Sequence, residues 1–177
     1  TISSTGNAAD FGDLSEPHDY GRNNISSGTR GVMAGGWPSN NDTIDYVTIA
    51  SLGNALDFGN LNENIGGGPP GASSPTRGLF CGGYHPSPAL TCRNTIQFVT
   101  IATTGNGTNF GDTGFTGFAK GSTSSPTRGV FIGGATPTVV NTIEYNEIAT
   151  EGDSVDFGDI GTAGAWIAAT SNGHGGL

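Results

Sequence analysis

The sequence predicts an all-β fold assembled from repeated four-stranded units. One pattern of landmarks recurs along the chain, and the phenylalanines that end its successive copies, Phe11, Phe58, Phe110 and Phe157, are 47, 52 and 47 residues apart. Gly accounts for 32 of the 177 residues and separates short apolar runs, as it does in chains of short strands and tight turns. No window places apolar residues at helical spacing over three turns, so long helices are not expected.

Each unit carries four landmarks in the same order. Thr-Arg-Gly comes first, then Gly-Gly, then Thr-Ile, and Asp-Phe-Gly or Asn-Phe-Gly comes last. We predict the first strand in the variable stretch before Thr-Arg-Gly, for example at residues 163–169. The second strand runs from Thr-Arg-Gly to Gly-Gly, the third follows Thr-Ile, and the fourth contains the phenylalanine. Because the distances between landmarks inside these segments are constant, we interpret them as scaffold.

The third strand is predicted to be covered on both sides. In the first unit Ile44 and Tyr46 share one face, whereas Ile49 falls on the opposite face because side chains alternate along a strand. A strand with apolar side chains on both faces is typical of a sheet packed between two neighbours. We therefore expect the sheets of successive units to stack face to face.

The units form one repeat domain over residues 1–177. It consists of a partial unit at 1–12, units at 29–59, 76–111 and 127–158 with the strand that precedes each, and a partial unit at 159–177. A single unit of this size cannot bury its own apolar face. The chain contains about 3.5 such units, and we expect each of them to pack against neighbouring units. We predict a section of a longer array, or of a ring completed by another chain.

The wording of the repeat resembles a known family. Gly-Gly after an apolar strand, an aromatic residue about ten positions later and a closing aromatic resemble the kelch motif of β-propellers. Ser-Ser-Pro-Thr-Arg-Gly at 73–78 and 124–129, with Asn-Thr-Ile and Asp-Phe-Gly-Asp, is closer to kelch-like repeats in tail-fibre and virion proteins of tailed phages of aquatic bacteria. The closing Trp of cellular kelch repeats is Phe here, and the first unit has Ser-Ser-Gly before Thr29. The resemblance implies kelch-like propeller blades in an extracellular or virion-surface protein.

Charge excludes two classes of partner. The formal net charge is −9, from 15 acidic and 6 basic residues. Such a surface repels the phosphates of nucleic acids and the headgroups of anionic membranes. No stretch is long and apolar enough to span a bilayer, so membrane insertion is not expected either.

Both cysteines lie in the second unit. Cys81 precedes Gly-Gly, and Cys92 precedes the third strand, so the two flank one hairpin loop. We predict a disulfide between them, which would indicate an oxidising, extracellular setting. The alternative is two unpaired thiols, one of them buried.

The repeated charged and aromatic residues are interpreted as structural. We predict that Arg30, Arg77 and Arg128 form ion pairs with acids of the Asp-Phe-Gly segments, such as Asp57 and Asp156. Phe58, Phe110 and Phe157 belong to the same scaffold. An alternative is that the three arginines line a channel that binds an anionic ligand.

No metal, cofactor or enzymatic activity is predicted. His18, His85 and His174 occupy three different positions of the repeat, so they indicate no shared metal site. Acidic pairs such as Asp156 and Asp159 offer oxygen ligands for calcium, but Asn60 replaces the second acid in the first unit. Turn and cap roles are therefore favoured for these acids.

The loops after Gly-Gly are the predicted ligand-binding elements. They differ in length and sequence between units, which is typical of loops that project from a fixed frame. Trp37, Tyr84 and His85 lie in them, and aromatic rings can stack on sugars. We predict binding of a host-surface glycan or protein; the alternative for each aromatic residue is packing on the adjacent blade. The alternative function is a purely structural block of a filament or virion appendage, which associates with copies of itself or with other subunits.

Overall fold

The structure, a computed structural model, describes residues 5–17, 22–36, 42–66, 70–85 and 91–171, without the side chain of His85. Three four-stranded antiparallel sheets dominate these residues, and no helix occurs among them. The prediction of an all-β chain without long helices is thus confirmed for the described part of the chain.

The three sheets repeat one topology in which the strands follow each other in chain order. Sheet 1 contains β1 (Asn23–Ser26), β2 (Arg30–Ala34), β3 (Thr43–Thr48) and β4 (Leu56–Asn60). Sheet 2 contains β5 (Gly71–Ser73), β6 (Arg77–His85), β7 (Thr91–Thr100) and β8 (Thr108–Asp112). Sheet 3 contains β9 (Gly121–Ser124), β10 (Arg128–Ile132), β13 (Thr142–Glu147) and β14 (Val155–Asp159), and the hairpin between its middle strands holds β11 (Ala135–Thr136) and β12 (Thr138–Val139).

The predicted second, third and fourth strands are confirmed in all three units, but one predicted first strand is wrong. Residues 163–169 form no strand. A strand needs a hydrogen-bonded neighbour, and in the three sheets the first strand pairs with the second strand that follows Thr-Arg-Gly. No such second strand is described after residue 171, so this segment lies on sheet 3 as irregular chain.

The phenylalanine of each fourth strand is the extra residue of a β-bulge. In sheet 1, Ile44 pairs with Gly59 and Asp45 pairs with Asp57, so Phe58 has no residue opposite. Phe110 and Phe157 occupy the same position in the other sheets. A bulge bends the strand locally and re-aims one side chain. The three phenylalanines therefore start from the same local geometry.

The apolar core lies between the sheets. One cluster joins sheet 1 to sheet 2, and the next joins sheet 2 to sheet 3. The third strand of sheet 2 contributes to both, with Val99 in the first cluster and Ile96 in the second. The predicted face-to-face stacking of apolar strands is confirmed, because each cluster contains residues from two successive units.

The first strands of neighbouring sheets approach each other most closely. The hydroxyl of Ser73 donates to the carbonyl of Ser26 at 3.0 Å, and the N–H of Ser73 donates to the hydroxyl of Ser124 at 3.2 Å. A Cβ on Gly129 would lie 2.8 Å from the Cβ of Ala72. The Gly of Thr-Arg-Gly is therefore required by the neighbouring unit and not by its own strand.

Candidate functional site

Backbone hydrogen bonds join the fourth strand of each unit to the turn of the next, and we call this contact a joint. Between sheets 1 and 2, the Gly105 N–H donates to the Phe58 carbonyl at 2.7 Å, and the Gly107 N–H donates to the Asn60 carbonyl at 2.8 Å. The Asn60 N–H donates to the side-chain oxygen of Asn106 at 3.0 Å. The same bonds connect residues 11–13 to 53–55 and residues 110–112 to 152–154.

The repeated arginines belong to the same contacts between units. Arg30 donates to the carbonyl of Ile101 at 3.0 Å, and Arg77 donates to the carbonyls of Ile148 and Ala149 at 3.2 Å each. Each guanidinium also lies over an aromatic ring of its own third strand, 4.5 Å from the ring centre for Arg30 and 4.3 Å for Arg77. These arginines therefore fasten one unit to the carbonyl end of the following third strand.

The predicted ion pairs between these arginines and the acids of Asp-Phe-Gly are wrong. Asp57 accepts the N–H of Gly59 at 3.1 Å, and Asp156 accepts that of Gly158 at 3.2 Å, so both carboxylates are used inside their own bulged turn. The glycines that donate have φ values of 143° and 136°, which favour a residue without a Cβ. The acids hold the bulge, and the arginines reach the next sheet.

Arg128 differs from its two counterparts. Its Nε lies 2.6 Å from Glu147 of the same sheet, and both side chains are about half exposed. The hydrogen bond to Glu147 raises the pKa of Arg128. Its guanidinium lies 4.6 Å from the ring centre of Tyr145, as in the other units. The position is thus prepared as in sheets 1 and 2, but no further sheet offers it a carbonyl in the described part of the chain.

Sequence reasoning missed a repeated buried polar position directly after Thr-Ile. Asp45, Gln97 and Glu144 are buried there, and each accepts a hydrogen bond from the preceding unit. The donors are the Ser15 hydroxyl, the Asn62 N–H at 2.6 Å and the Gly114 N–H at 2.7 Å. The residue type changes while the acceptor role stays. A comparison of hydrogen-bonding capacity, rather than residue identity, could have found this position.

The hairpin of sheet 2 has the longest strands among the described residues, β6 with nine residues and β7 with ten. Beyond the bulge near Gly82, β6 and β7 remain paired through Gly83 with Arg93, Tyr84 with Cys92 and His85 with Thr91. The Arg93 Nε lies 3.1 Å from a carboxylate oxygen of Glu63, and both side chains are partly exposed. The two strands of this hairpin are thus paired as far as His85 and Thr91.

The predicted aromatic loop residues have different outcomes. Trp37 and the side chain of His85 lie outside the described residues. Tyr84 packs edge-on against Phe118 with ring centres 5.7 Å apart, so it follows the predicted alternative of packing on the neighbouring unit. Phe118 in turn contacts Trp166, at 6.2 Å. Trp166 was not predicted as a surface aromatic, although it is 69% exposed and has a φ of 58°.

The predicted disulfide between Cys81 and Cys92 is wrong, since both thiols are free. Cys81 pairs with Ile96 and Cys92 pairs with Tyr84, which places the two cysteines about 13 Å apart along the hairpin. A disulfide requires Cα atoms less than about 7 Å apart. Burial raises the pKa of the Cys81 thiol to about 11, although the nearby Lys120 acts in the opposite direction. The alternative of two unpaired thiols, one of them buried, is the observed one.

The two ends of the stack expose what its interior buries. At the C-terminal face, formed by Val130, Ile132, Ile143 and Phe157 of sheet 3, all four side chains are partly or largely accessible, and Phe157 is 58% exposed. Phe58 and Phe110, its counterparts, are 2% and 3% exposed. At the opposite end Ile49 is 48% exposed, whereas its counterparts in sheets 2 and 3 are 1% exposed. Phe157 at one end and Ile49 at the other are thus exposed at positions that the interior covers.

The described residues contain neither a cluster of metal ligands nor a membrane-spanning helix. Within residues 5–17, 22–36, 42–66, 70–85 and 91–171, no three His, Cys, Asp or Glu side chains are grouped to hold a metal ion. Over the same ranges there is no helix with the length and hydropathy needed to cross a bilayer.

The repeat geometry is the main guide to function. No protein-family model matches the sequence, and a search of curated proteins finds none similar to it.

Proposed function

We propose that this chain is a non-enzymatic extracellular or virion-surface module, built from kelch-like propeller blades, that binds a host-surface glycan or protein through its variable hairpins. The observation that supports this most directly is the long hairpin of sheet 2. Its strands continue past Gly-Gly, whereas the corresponding strands of sheets 1 and 3 end before it, and Arg93 and Glu63 form an ion pair near its base. Binding residues are commonly found on loops that a rigid scaffold positions.

The non-enzymatic part of the proposal is supported by how the repeated residues are used. Arg30 and Arg77 serve contacts between units, and Asp57 and Asp156 serve bulged turns. Cys81 is buried with a raised pKa, which is the opposite of an activated nucleophile. These five side chains are thus used in structural contacts or buried.

The propeller part is supported by the stacking of equivalent sheets. First strands lie close together along one side of the stack, where Ser73 bonds to both Ser26 and Ser124. Fourth strands lie at the other side, where the joints occur. Sheets that are close at the inner strand and linked at the outer strand fit blades arranged about an axis.

A glycan array probed with the full chain tests the binding function. We expect retention on a restricted set of glycans, weakened at least about ten-fold by Trp37→Ala, the size of effect expected for a stacking aromatic anchor. Thr138→Ala, in the short hairpin of sheet 3, is the matched control and should leave both binding and the melting temperature unchanged. If no glycan and no host-surface protein is retained by the folded chain, the binding function is wrong.

The second candidate function is a structural block of a filament or virion appendage. It is favoured by the apolar ends of the stack, where Phe157 and Ile49 are exposed while their counterparts are buried. Exposed apolar patches mark sites of protein association. This function predicts assembly through the ends and makes no use of the hairpin tips.

A further inference from the structure

We propose that the C-terminal face of sheet 3 is a docking surface for a further β-hairpin of this same repeat. The hairpin consists of the second and third strands of a unit, with Thr-Arg-Gly at the start of the second strand. The inference rests on the second candidate function, in the form in which the chain associates with other subunits and not with copies of itself, and it does not depend on glycan binding. Its basis is the continuity of this face with two contacts already formed within the chain. Four residues form this face, and their counterparts in sheets 1 and 2 are covered by the next sheet: Val130, Ile132, Ile143 and Phe157.

The apolar part of the surface defines the size and position of the side chains it would receive. In the cluster between sheets 2 and 3, Phe131 and Ile148 cover Leu79, Ile96 and Phe110. Phe80 and Ile101 take the same places between sheets 1 and 2. The docking hairpin must therefore carry a Phe two residues after the Gly of Thr-Arg-Gly, and an Ile directly after the third strand of the unit.

The polar part of the surface supplies directional bonds. The carbonyls of Phe58 and Phe110 each accept the N–H of a Gly in the next turn, and the N–H of the residue two positions later donates to an Asn or Asp side chain. Phe157 and Asp159 hold the equivalent groups in sheet 3. Arg128 is equivalent to the arginines that reach the next third strand. The docking hairpin must thus end in a turn with Gly followed by Asn or Asp.

A close backbone approach adds a requirement that unrelated strands do not meet. The Gly of Thr-Arg-Gly packs on the first strand of the preceding unit, where a Cβ on Gly129 would lie 2.8 Å from that of Ala72. At Gly31, which has no preceding first strand in the described residues, the nearest such neighbour is Val47 at 3.4 Å. Glycine at this position is therefore a specificity element of the docking hairpin.

A second copy of the chain is a poor occupant. End-to-end stacking would bring Phe157 and Asp159 of one copy to the turn at residues 53–55 of another. That turn is already bonded to the same chain, through Gly53 to Phe11 at 2.9 Å and Ala55 to Asp13 at 2.8 Å. The N–H groups of this turn that would have to donate to a second copy are thus occupied, which favours a separate hairpin over a second copy.

The test extends the chain by one unit. Because Ser171 is equivalent to Ser125, a second copy of residues 126–171 is placed directly after Ser171. We expect hydrogen exchange at the Asp159 amide to slow at least about ten-fold, since it gains the bond that the Asp112 amide already has. The matched control is the same extension with the copied glycine changed, Gly129→Val, which should leave Asp159 exchange as it is in the unextended chain.

Exchange at Asp112 reports whether the extended chain is folded. If Asp112 stays protected and Asp159 remains as fast as before, the proposal is wrong. If the extension disturbs folding, a synthetic peptide of residues 126–159 is titrated onto the unmodified chain instead. We expect saturable binding, weakened about ten-fold by Phe157→Ala in the chain and lost with Gly129→Val in the peptide.

Sedimentation of the unmodified chain separates the remaining occupants. We expect the mass of a monomer at all concentrations. Concentration-dependent dimers in which Asp159 becomes protected would overturn the proposal in favour of a second copy. Absence of peptide binding to the unmodified chain, together with unchanged Asp159 exchange in the extended chain, would also contradict it.

Discussion

The interior contacts and the C-terminal face are built from the same residues in different surroundings. Phe110 and Phe157 occupy equivalent bulges in the fourth strands of sheets 2 and 3, and each is followed by a glycine. Phe110 is 3% exposed because sheet 3 covers it, whereas Phe157 is 58% exposed. Burial in this fold is therefore decided by the next unit and not by the local strand. Stability of such an array is the sum of contributions from units and from the contacts between them.

The largest difference is expected when the two phenylalanines are truncated. Phe110→Ala removes a ring from a packed cluster and should lower the free energy of unfolding by about 4 kcal/mol. Phe157→Ala removes a ring that is mostly in solvent already, so about 1 kcal/mol or less is expected. Urea denaturation of both variants measures the contrast. Equal losses would mean that the C-terminal face is as well packed as the interior.

Glycine-to-alanine substitutions at the bulges give the next contrast. Gly111 and Gly158 both have positive φ, 155° and 136°, so alanine is strained at either site. At Gly111 the new Cβ would also collide with the carbonyl of Gly152, whereas at Gly158 nothing lies within 4 Å. We expect losses of about 3 kcal/mol for Gly111→Ala and about 1 kcal/mol for Gly158→Ala.

The same denaturation series, with Gly59→Ala as a further interior copy, checks this expectation. A Cβ on Gly59 would lie 2.5 Å from the carbonyl oxygen of Gly105, so its loss should match that of Gly111→Ala. A Gly158→Ala variant as unstable as the two interior variants would show that φ strain alone accounts for these glycines.

The strands were predictable from the sequence because their signals are local. Alternation of apolar residues after Thr-Ile and the glycines at turns act within a few positions, so β3 and β13 form where they were predicted, and β7 covers the predicted segment but begins four residues earlier, at Thr91. The partners of Arg30 and Arg77 were not predictable in this way. Their acceptors are backbone carbonyls in the next sheet, which residue identity does not reveal, and the nearby acids offered a simpler but wrong ion pair.

The candidate site shows a second limit of sequence reasoning. The disulfide was predicted from the position of Cys81 and Cys92 around one loop, but the paired strands extend beyond Gly-Gly and separate the two thiols. The buried acceptors Asp45, Gln97 and Glu144 differ in residue type, so repetition alone did not identify them. Long-range register and shared hydrogen-bonding roles become visible only in the folded chain.

Thiol reactivity can compare the interior with the C-terminal face at one position of the second strand. Cys81 lies in the interior cluster, and Ile132 is its counterpart at the C-terminal face. In a Cys92→Ser background we expect Cys81 to resist a thiol reagent until the chain unfolds. In a Cys81→Ala, Cys92→Ser background, Ile132→Cys should react in the folded state at least about a hundred-fold faster. Rapid reaction of Cys81 in folded protein would contradict its burial.

The raised pKa of Cys81 predicts a loss of stability in alkaline solution. The folded-state pKa is about 11 against 9.0 for the unperturbed thiol, so the unfolded chain loses its proton first. The free energy of unfolding should therefore fall progressively between pH 9 and pH 11, by about 2–3 kcal/mol in total. Urea denaturation of the Cys92→Ser chain at pH 8 and pH 11 measures this loss. Adding Cys81→Ala is the control, and it should reduce the dependence by that amount.

The smallest contrast concerns the arginines, and it isolates the bonds between units. Arg77→Met removes hydrogen bonds to two carbonyls of sheet 3, whereas Arg128→Met removes an exposed ion pair with Glu147. Both variants lose a similar contact with an aromatic ring, at 4.3 and 4.6 Å. We expect a loss of about 1.5 kcal/mol for Arg77→Met and about 0.5 kcal/mol for Arg128→Met.

Only the effect of Arg128→Met should diminish at high salt, because an exposed ion pair is screened and a guanidinium–carbonyl bond between packed sheets is screened much less. If both losses are equal and equally sensitive to salt, the carbonyl bonds of Arg77 contribute nothing, and the units are held together by their apolar clusters and backbone joints alone.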